Sequence, residues 1–324
     1  LSNIPQQERK RFVGSSEVAS LFSLDLFEGG ERVYETRYEL HMRKRGLLDK
    51  DLRGGASERA RWGNRLEAAM AAGFAEDHGF KVRRVRRYLR HPRVDGMGAS
   101  LDYEVVAHPL GPGDLELKNV DRSVFLDWPE VEGADDPAFV AATGLPYLER
   151  RRDPPLRMQL QLQHQLACDG RAWGIIAPLV GGNKQVPIPY PRVPAVVEML
   201  EREVGLFWAE VDAEVPPPPD WRLDAAAVAR VHGYADQLRV LNARGDRELL
   251  ALAHQYRALG ERSRRLEARR EVLKAQMLER IGDARKALLA DGYTISAGMV
   301  PGREVNHWRR PHRGFQVNKR KRRR

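Results

Sequence analysis

Trp62, Leu66, Met70 and Phe74 recur every four residues within 58–78, and three short segments follow at 80–90, 98–107 and 114–120. Because 3.6 residues make one helical turn, that spacing predicts a helix with its apolar side chains along one stripe. Gly/Pro punctuation at 92–98 and 109–113 separates the later segments and predicts strands. The order most constraining for the fold is therefore a long helix running into a meander of short strands.

On either side of this block the signals are more mixed. Residues 12–24 predict a turn and a short helix, with Ser15 or Ser16 as the capping oxygen. At 157–169 the Gln/Leu alternation imitates a strand, while Met158, Leu162 and Leu166 fit one helical face, so periodicity alone leaves both open. Segments 173–180 and 184–190 predict a hairpin across Gly181, Gly182 and Asn183, and 193–213 resumes helical spacing. A stiff break follows at Pro216 to Pro219. Beyond it, 222–242 and 246–280 are charged and helix-forming, with Leu249, Leu252, Tyr256, Leu259, Leu266 and Leu273 near heptad spacing, and 292–318 is β-prone. The expected organisation is a domain at 1–215, a proline-rich linker at 216–221, a charged helical accessory region at 222–308 and a basic tail at 309–324.

Charge bears on partners. Of a formal net charge of +10, residues 309–324 supply nine Lys/Arg and no Asp/Glu, leaving +1 for the rest. Such a tail favours a polyanion, through counterion release from nucleic acid, or else is an unstructured solubilising terminus. A second basic run, Lys81, Arg83, Arg84, Arg86, Arg87, Arg90 and Arg93, contains no acid and reads as a solvated face. No apolar run reaches 18 residues and the N-terminus is polar, so a cytoplasmic protein with no membrane segment is expected. Cys168 is the single cysteine, which excludes internal disulfides and four-cysteine metal sites. His91, His108 and His164 have no ligand spacing to one another and read as core or surface residues.

The chemistry concentrates at Asp102 and, fourteen residues on, Glu116, Leu117 and Lys118. On a strand Glu116 and Lys118 project together while Leu117 points to the core. With Asp102 on a neighbouring strand, two carboxylates and a backbone carbonyl could hold a hard divalent cation, magnesium being the obvious one. Lys118 would then stand beside the water that attacks a phosphodiester. Taken alone, such residues also occur as surface ion pairs.

Further landmarks occur in order: RKRFVGSSEVASLF (9–22), WGNRLE (62–67), ASLD (99–102), LELK (115–118) and QLQHQLACDG (161–170). Together they resemble the YqaJ-like viral recombinases and lambda-type exonucleases of the PD-(D/E)XK nuclease superfamily. The resemblance implies an α/β (α+β) restriction-endonuclease-like core, with a central mixed sheet flanked by helices and a helical, coiled-coil-like C-terminal region, and it selects the helix at 157–169. It implies Asp102, Glu116, Glu67 and the Leu117 carbonyl as metal ligands for Mg2+, or Mn2+ in its place. Lys118 becomes the catalytic base or water-orienting group, and Gln161 and Gln163 lie on a helix behind the strands. Arg9, Ser16, Ser100 and Arg122 match positions that grip phosphate, as guanidinium forks and hydroxyls do.

The implied activity is a magnesium-dependent double-strand DNA exonuclease, directed 5′ to 3′, that leaves single strands for phage-type recombination in a bacterial host cytoplasm. Double-stranded DNA ends, a single-strand annealing protein and further copies of the chain, in a ring or otherwise, are the implied partners. An endonuclease or nickase on the same fold, and a non-enzymatic DNA-binding coiled-coil assembly protein, are the alternatives.

Overall fold

The structure is a computed structural model and describes residues 6–22, 35–49, 58–133 and 136–299. It divides into two units, Leu1–Val231 and His232–Arg324. In the first, a four-residue helix α1 (Gln6–Arg9) and a 3-10 turn (Val18–Leu21) precede α2 (Arg37–Lys44) and α3 (Glu58–His78). Strands β1 (Lys81–Arg84), β2 (Tyr88–Arg90), β3 (Gly98–Ser100), β4 (Tyr103–Val106) and β5 (Gly113–Val120) follow. Next come α4 (Arg122–Leu126), β6 (Glu130–Glu132), α5 (Pro137–Thr143), β7 (Arg150–Arg152) and α6 (Leu156–Asp169). The unit ends with β8 (Trp173–Val180), β9 (Lys184–Gln185), β10 (Ile188–Pro191), α7 (Pro194–Asp212) and α8 (Ala225–Val231).

The main sheet runs β1-β4-β5-β8-β10, with β9 on β8. β5 and β8 are parallel, Leu117 facing Ala177, and the other pairs are antiparallel. Parallel neighbours need a crossover, and the segment carrying α6 supplies it. Alternation along β5 then separates two cores: Leu115 and Leu117 pack with Met70 and Phe74 of α3, whereas Val120 packs with Leu162 and Leu166 of α6. The result is the mixed sheet flanked by helices that the resemblance implies.

Several local expectations change. The segments 80–90 and 98–107 each split in two at the same level, into β1 and β2 and into β3 and β4. Among the described residues 12–22 the expected helix is a 3-10 turn, with Glu17 rather than a serine at the capping position and its carboxylate accepting from Gly14 N–H at 2.9 Å. Trp62 is exposed, so the α3 stripe is buried only from Met70 to Phe74. Residues 157–169 are helical, closed by Gly170 at φ 76°.

The first unit also runs past the prolines at 216–219. Asp224 accepts a 2.6 Å hydrogen bond from Thr36 Oγ1, and Ala227 packs with Tyr38, Met42 and Leu48. These contacts anchor α8, so the unit closes at Val231 and not at 215. Of the helix expected over 222–242 only α8 forms; Asp236 then turns the chain by accepting from Leu238 N–H.

In the second unit α9 (Arg247–Ile281) is capped by Asp246, which accepts from Leu249 N–H at 2.8 Å, and β11 (Lys286–Leu288) pairs with β12 (Thr294–Ser296). Leu249, Leu252, Tyr256, Leu259, Leu266 and Leu273 of the heptad seam are all exposed. The basic tail 309–324 and most of the β-prone stretch at 292–318 lie outside the described residues. No helix among the described residues is long and apolar enough to cross a membrane.

Candidate active site

β5 is the spine of the site. Asp114, Glu116 and Lys118 alternate onto the face covered by α6, where Gln161, Gln165 and Asp169 recur every four residues. Two strand residues advance ~6.7 Å and four helical residues ~6 Å, so the two stripes stay in step over several residues. Gln161 Nε2 donates to Glu116 Oε1 at 2.5 Å and Gln165 Nε2 donates to Glu116 Oε2 at 2.6 Å. Lys118 Nζ lies 2.6 Å from Glu116 Oε1 and donates to Gln161 Oε1 at 3.1 Å. At the other end of the stripe, buried Asp114 hydrogen-bonds Asp169, and burial with the Asp169 charge raises the Asp114 carboxyl well above its ordinary range. Arg171 bridges Asp114, Asp169 and Glu104 there.

Asp102 approaches from the edge of β5. It occupies the bend between β3 and β4 rather than a strand, and its Oδ2 accepts from Leu117 N–H at 3.1 Å. β4 pairs with β5 from Gly113 to Leu115 and no further, which leaves that edge open beside Leu117. A strand residue points its N–H and C=O to the same edge, so the Leu117 carbonyl faces the side on which Asp102 stands. Burial, then the Glu116 charge, pushes the Asp102 carboxyl up to about 8, against the opposing pull of Lys118. Glu67 stands on α3 and pairs with Arg84 at 3.2 Å. Partial burial raises its carboxyl; Arg84 and Lys118 oppose the shift and the Glu116 charge adds to it.

Four residues named from sequence, Glu67, Asp102, Glu116 and Lys118, thus share one electrostatic environment, and Gln161 joins them. Gln163 does not: its amide donates to Pro191 O at 2.8 Å and accepts from Val193 N–H at 2.9 Å, fixing the turn into α7. Gln165 takes the place expected for it and also donates to Ser100 O at 3.3 Å. The signal that could have found it is the match between the four-residue polar stripe of α6 and the two-residue stripe of β5.

Of the phosphate-binding candidates, Arg9 is exposed at the end of α1, and Ser16 is exposed in the turn that precedes the 3-10 segment. That turn is tied to the sheet by Val13, whose N–H donates to Gly96 O and whose carbonyl accepts from Gly98 N–H. Ser100 ends β3, and Arg122 opens α4 directly after β5. The histidines stay structural: His91 pairs with Glu201, His108 with Thr143 O and His164 with Gly98 O.

Among the described residues no three His, Cys, Asp or Glu side chains stand ready to hold a metal ion by themselves. In this arrangement Arg84 engages Glu67, while Lys118 and both glutamines engage Glu116. The donor chemistry nonetheless fits a hard cation: Asp102, Glu116 and the Leu117 carbonyl are oxygen donors at one strand edge, and acid outnumbers base. Glu67 would join them on leaving Arg84.

The family model of the YqaJ-like viral recombinase domain matches residues 6–172. A protein of Bacillus subtilis (strain 168), described as uncharacterized protein YqaJ, is 26% identical over 203 residues, covering 62% of this chain and 53% of that one. The chain therefore spans about half the length of that relative. An alkaline exonuclease (LHK-Exo) from Laribacter hongkongensis has a similar crystal structure, with a TM-score of 0.43, 22% identity, and 68% of this chain and 96% of that chain covered. Its complex with dAMP gives the same TM-score of 0.43. On the family match, which takes in every strand and helix of the site up to the start of β8, the chain belongs to the YqaJ-like viral recombinase domain family.

Proposed function

We propose that this chain is a divalent-metal-dependent deoxyribonuclease that degrades double-stranded DNA from its ends, 5′ to 3′, and leaves single strands for recombination. The observation that carries the reading is the grip on Glu116. Two neutral amides fix both carboxylate oxygens without cancelling their charge, and Asp102 is held at the adjacent strand edge. That is an arrangement for presenting anionic oxygen to a cation. Asp102, Glu116 and the Leu117 carbonyl would hold magnesium, or manganese in its place, and the bound ion supplies Lewis acidity for phosphodiester hydrolysis.

Lys118, fixed between Glu116 and Gln161, orients the attacking water toward the phosphorus. Gln161 holds the lysine and the glutamate in register. Arg9, Ser16, Ser100 and Arg122 grip the terminal phosphate or nearby backbone. The family's description as viral recombinases supports a place in recombination, and pairing with a single-strand annealing protein belongs to the same reading. The exposed heptad seam of α9 supports self-association.

Digestion of linear duplexes carrying either 5′-phosphate or 5′-hydroxyl ends, alongside closed circles, tests the proposal with magnesium and with EDTA. Acid-soluble nucleotides are expected from linear DNA only, only with metal, and faster from phosphorylated ends. Asp102→Asn, Glu116→Gln and Lys118→Met should each lower turnover on the order of 10²–10³-fold, since a positioned metal is worth several kcal/mol of barrier. Near-normal turnover in two of the three would overturn the assignment, and cutting of closed circles would make the enzyme an endonuclease.

A further inference from the structure

The arginine run at 81–93 is only partly accounted for by ion pairs. Arg83 pairs with Glu104, Arg84 with Glu67, Arg90 with Glu8 and Arg93 with Glu201. Arg86 and Arg87 are exposed, and among the described residues no acidic side chain pairs with either.

Strand register explains where they stand. β1 pairs with β4 as far as Arg84 opposite Tyr103, and β2 pairs with β3 from Tyr88 opposite Ser100. Val85, Arg86 and Arg87 therefore face Leu101 and Asp102 alone, three residues against two, which is a β-bulge. Val85 remains tied in, because its N–H donates to Asp102 O at 3.2 Å and its side chain packs on the core with Val13 and Met97. The surplus falls on the two arginines. A bulge bends its strand and re-aims side chains, and bulges concentrate beside active sites. With Val85 bonded to Asp102, the two arginines stand opposite Leu101, the residue next to Asp102, with Arg84 and its partner Glu67 on one flank and Ser100 on the other.

Charge gives the bulge a task. A phosphodiester brought to Asp102, Glu116 and Glu67 meets three carboxylates, whose field repels a polyanion. Two exposed guanidiniums beside that site in the strand register would offset that repulsion, and their forked donors match phosphate oxygens. We propose that Arg86 and Arg87 form a phosphate-binding ridge that holds the sugar-phosphate backbone of a DNA strand as it crosses the site. The ridge rests on the nuclease reading for the identity of its polyanion, and it carries affinity rather than chemistry.

The test measures binding apart from cutting. A short fluorescein-labelled duplex is titrated with the full chain in EDTA over a range of salt, using wild type, Arg86→Gln/Arg87→Gln and Arg86→Lys/Arg87→Lys. The glutamine variant should lower the slope of log affinity against log salt by up to about 1.8, at about 0.9 for each phosphate it no longer neutralises, and the lysine variant should keep the slope. In digestion with magnesium, KM for DNA should rise on the order of tenfold while kcat stays within a few-fold. Because both side chains are exposed, thermal unfolding should not move. An unchanged salt slope in the glutamine variant would overturn the ridge and leave the nuclease reading intact. Tight binding by wild type with no metal-dependent cutting would overturn the nuclease reading but not the ridge, and no DNA binding by wild type would overturn both.

Discussion

Asp102 and Glu17 are both carboxylates enclosed by the first unit, yet one is pushed up to about 8 and the other held down to about 2. Burial raises both. The difference lies in the neighbours: Glu17 meets Lys44 at 2.7 Å and Arg43 at 2.8 Å, and Glu35 completes a cluster of two acids with two bases. Around Asp102 three acids, with Glu67 and Glu116, share Lys118 and Arg84. The first cluster is internally balanced and staples the Phe12–Glu17 turn, since Glu17 also accepts from Gly14 N–H and Lys44 donates to Phe12 O. The second holds more carboxyl groups than bases, an imbalance that structural ion pairing does not require and cation binding does.

One chemical change should therefore have opposite consequences in the two places. Glu17→Gln leaves Arg43 and the almost wholly buried Lys44 without their shared counter-charge, and breaking a buried pair in this way costs about 3–5 kcal/mol. Asp102→Asn removes one of three crowded carboxylates and should leave the metal-free protein as stable as the parent or more so. Urea unfolding in EDTA measures both. If Glu17→Gln cost less than Asp102→Asn, the balanced and unbalanced clusters would have to be exchanged.

A sharper contrast lies within α6. Gln165→Leu deprives Glu116 Oε2 of its donor, whereas Gln163→Leu loosens only the turn into α7. Groups that orient a metal ligand typically change metal affinity by about 10–100-fold when removed. Gln165→Leu should weaken magnesium binding by that order, read both as a smaller thermal shift on adding magnesium and as a higher magnesium requirement for cutting. Gln163→Leu should lower thermal stability and leave the magnesium requirement alone. Equal magnesium requirements in the two variants would reduce Gln165 to a core residue.

The same pair shows where the sequence is readable. Glu116, Leu117 and Lys118 declare their faces because strand alternation is strict, and α3 and α6 declare themselves through Met70, Phe74, Leu162 and Leu166. Gln163 and Gln165 look alike in sequence, and only the rotation of α6 against β5 sends one to the turn and the other to Glu116. The bulge at Val85 to Arg87 is hidden for a related reason: the skipped register exists only between strands. The end of the first unit was hidden by the prolines, whose stiffness interrupts secondary structure without preventing Asp224 and Ala227 from packing onto α2.

Acid titration separates the two regions by pH window and carries the smallest expected effect. His164, on α6 between Gln161 and Gln165, is fully buried and bonded to Gly98 O at 3.0 Å; burial holds its pKa down from 6.5 to about 4. The unfolded chain then takes up the proton first, so stability is intact above 6.5, falls as pH drops toward 4 and levels off below it. Between pH 7 and 5.5 this amounts to roughly 1.4 kcal/mol, from about one pH unit below the unfolded value. For Glu17 the folded pKa lies below its ordinary 4.5, so its contribution is complete above 4.5 and is lost only as pH falls toward 2. His164→Gln retains a donor near the position of Nε2 and cannot charge. It should flatten the decline between pH 7 and 5.5 while leaving the steeper loss below 4.5 in place. Urea midpoints measured across pH 7 to 3 for wild type and this variant would show it, and an unchanged slope between 7 and 5.5 would mean that α6 opens to water around His164 without unfolding.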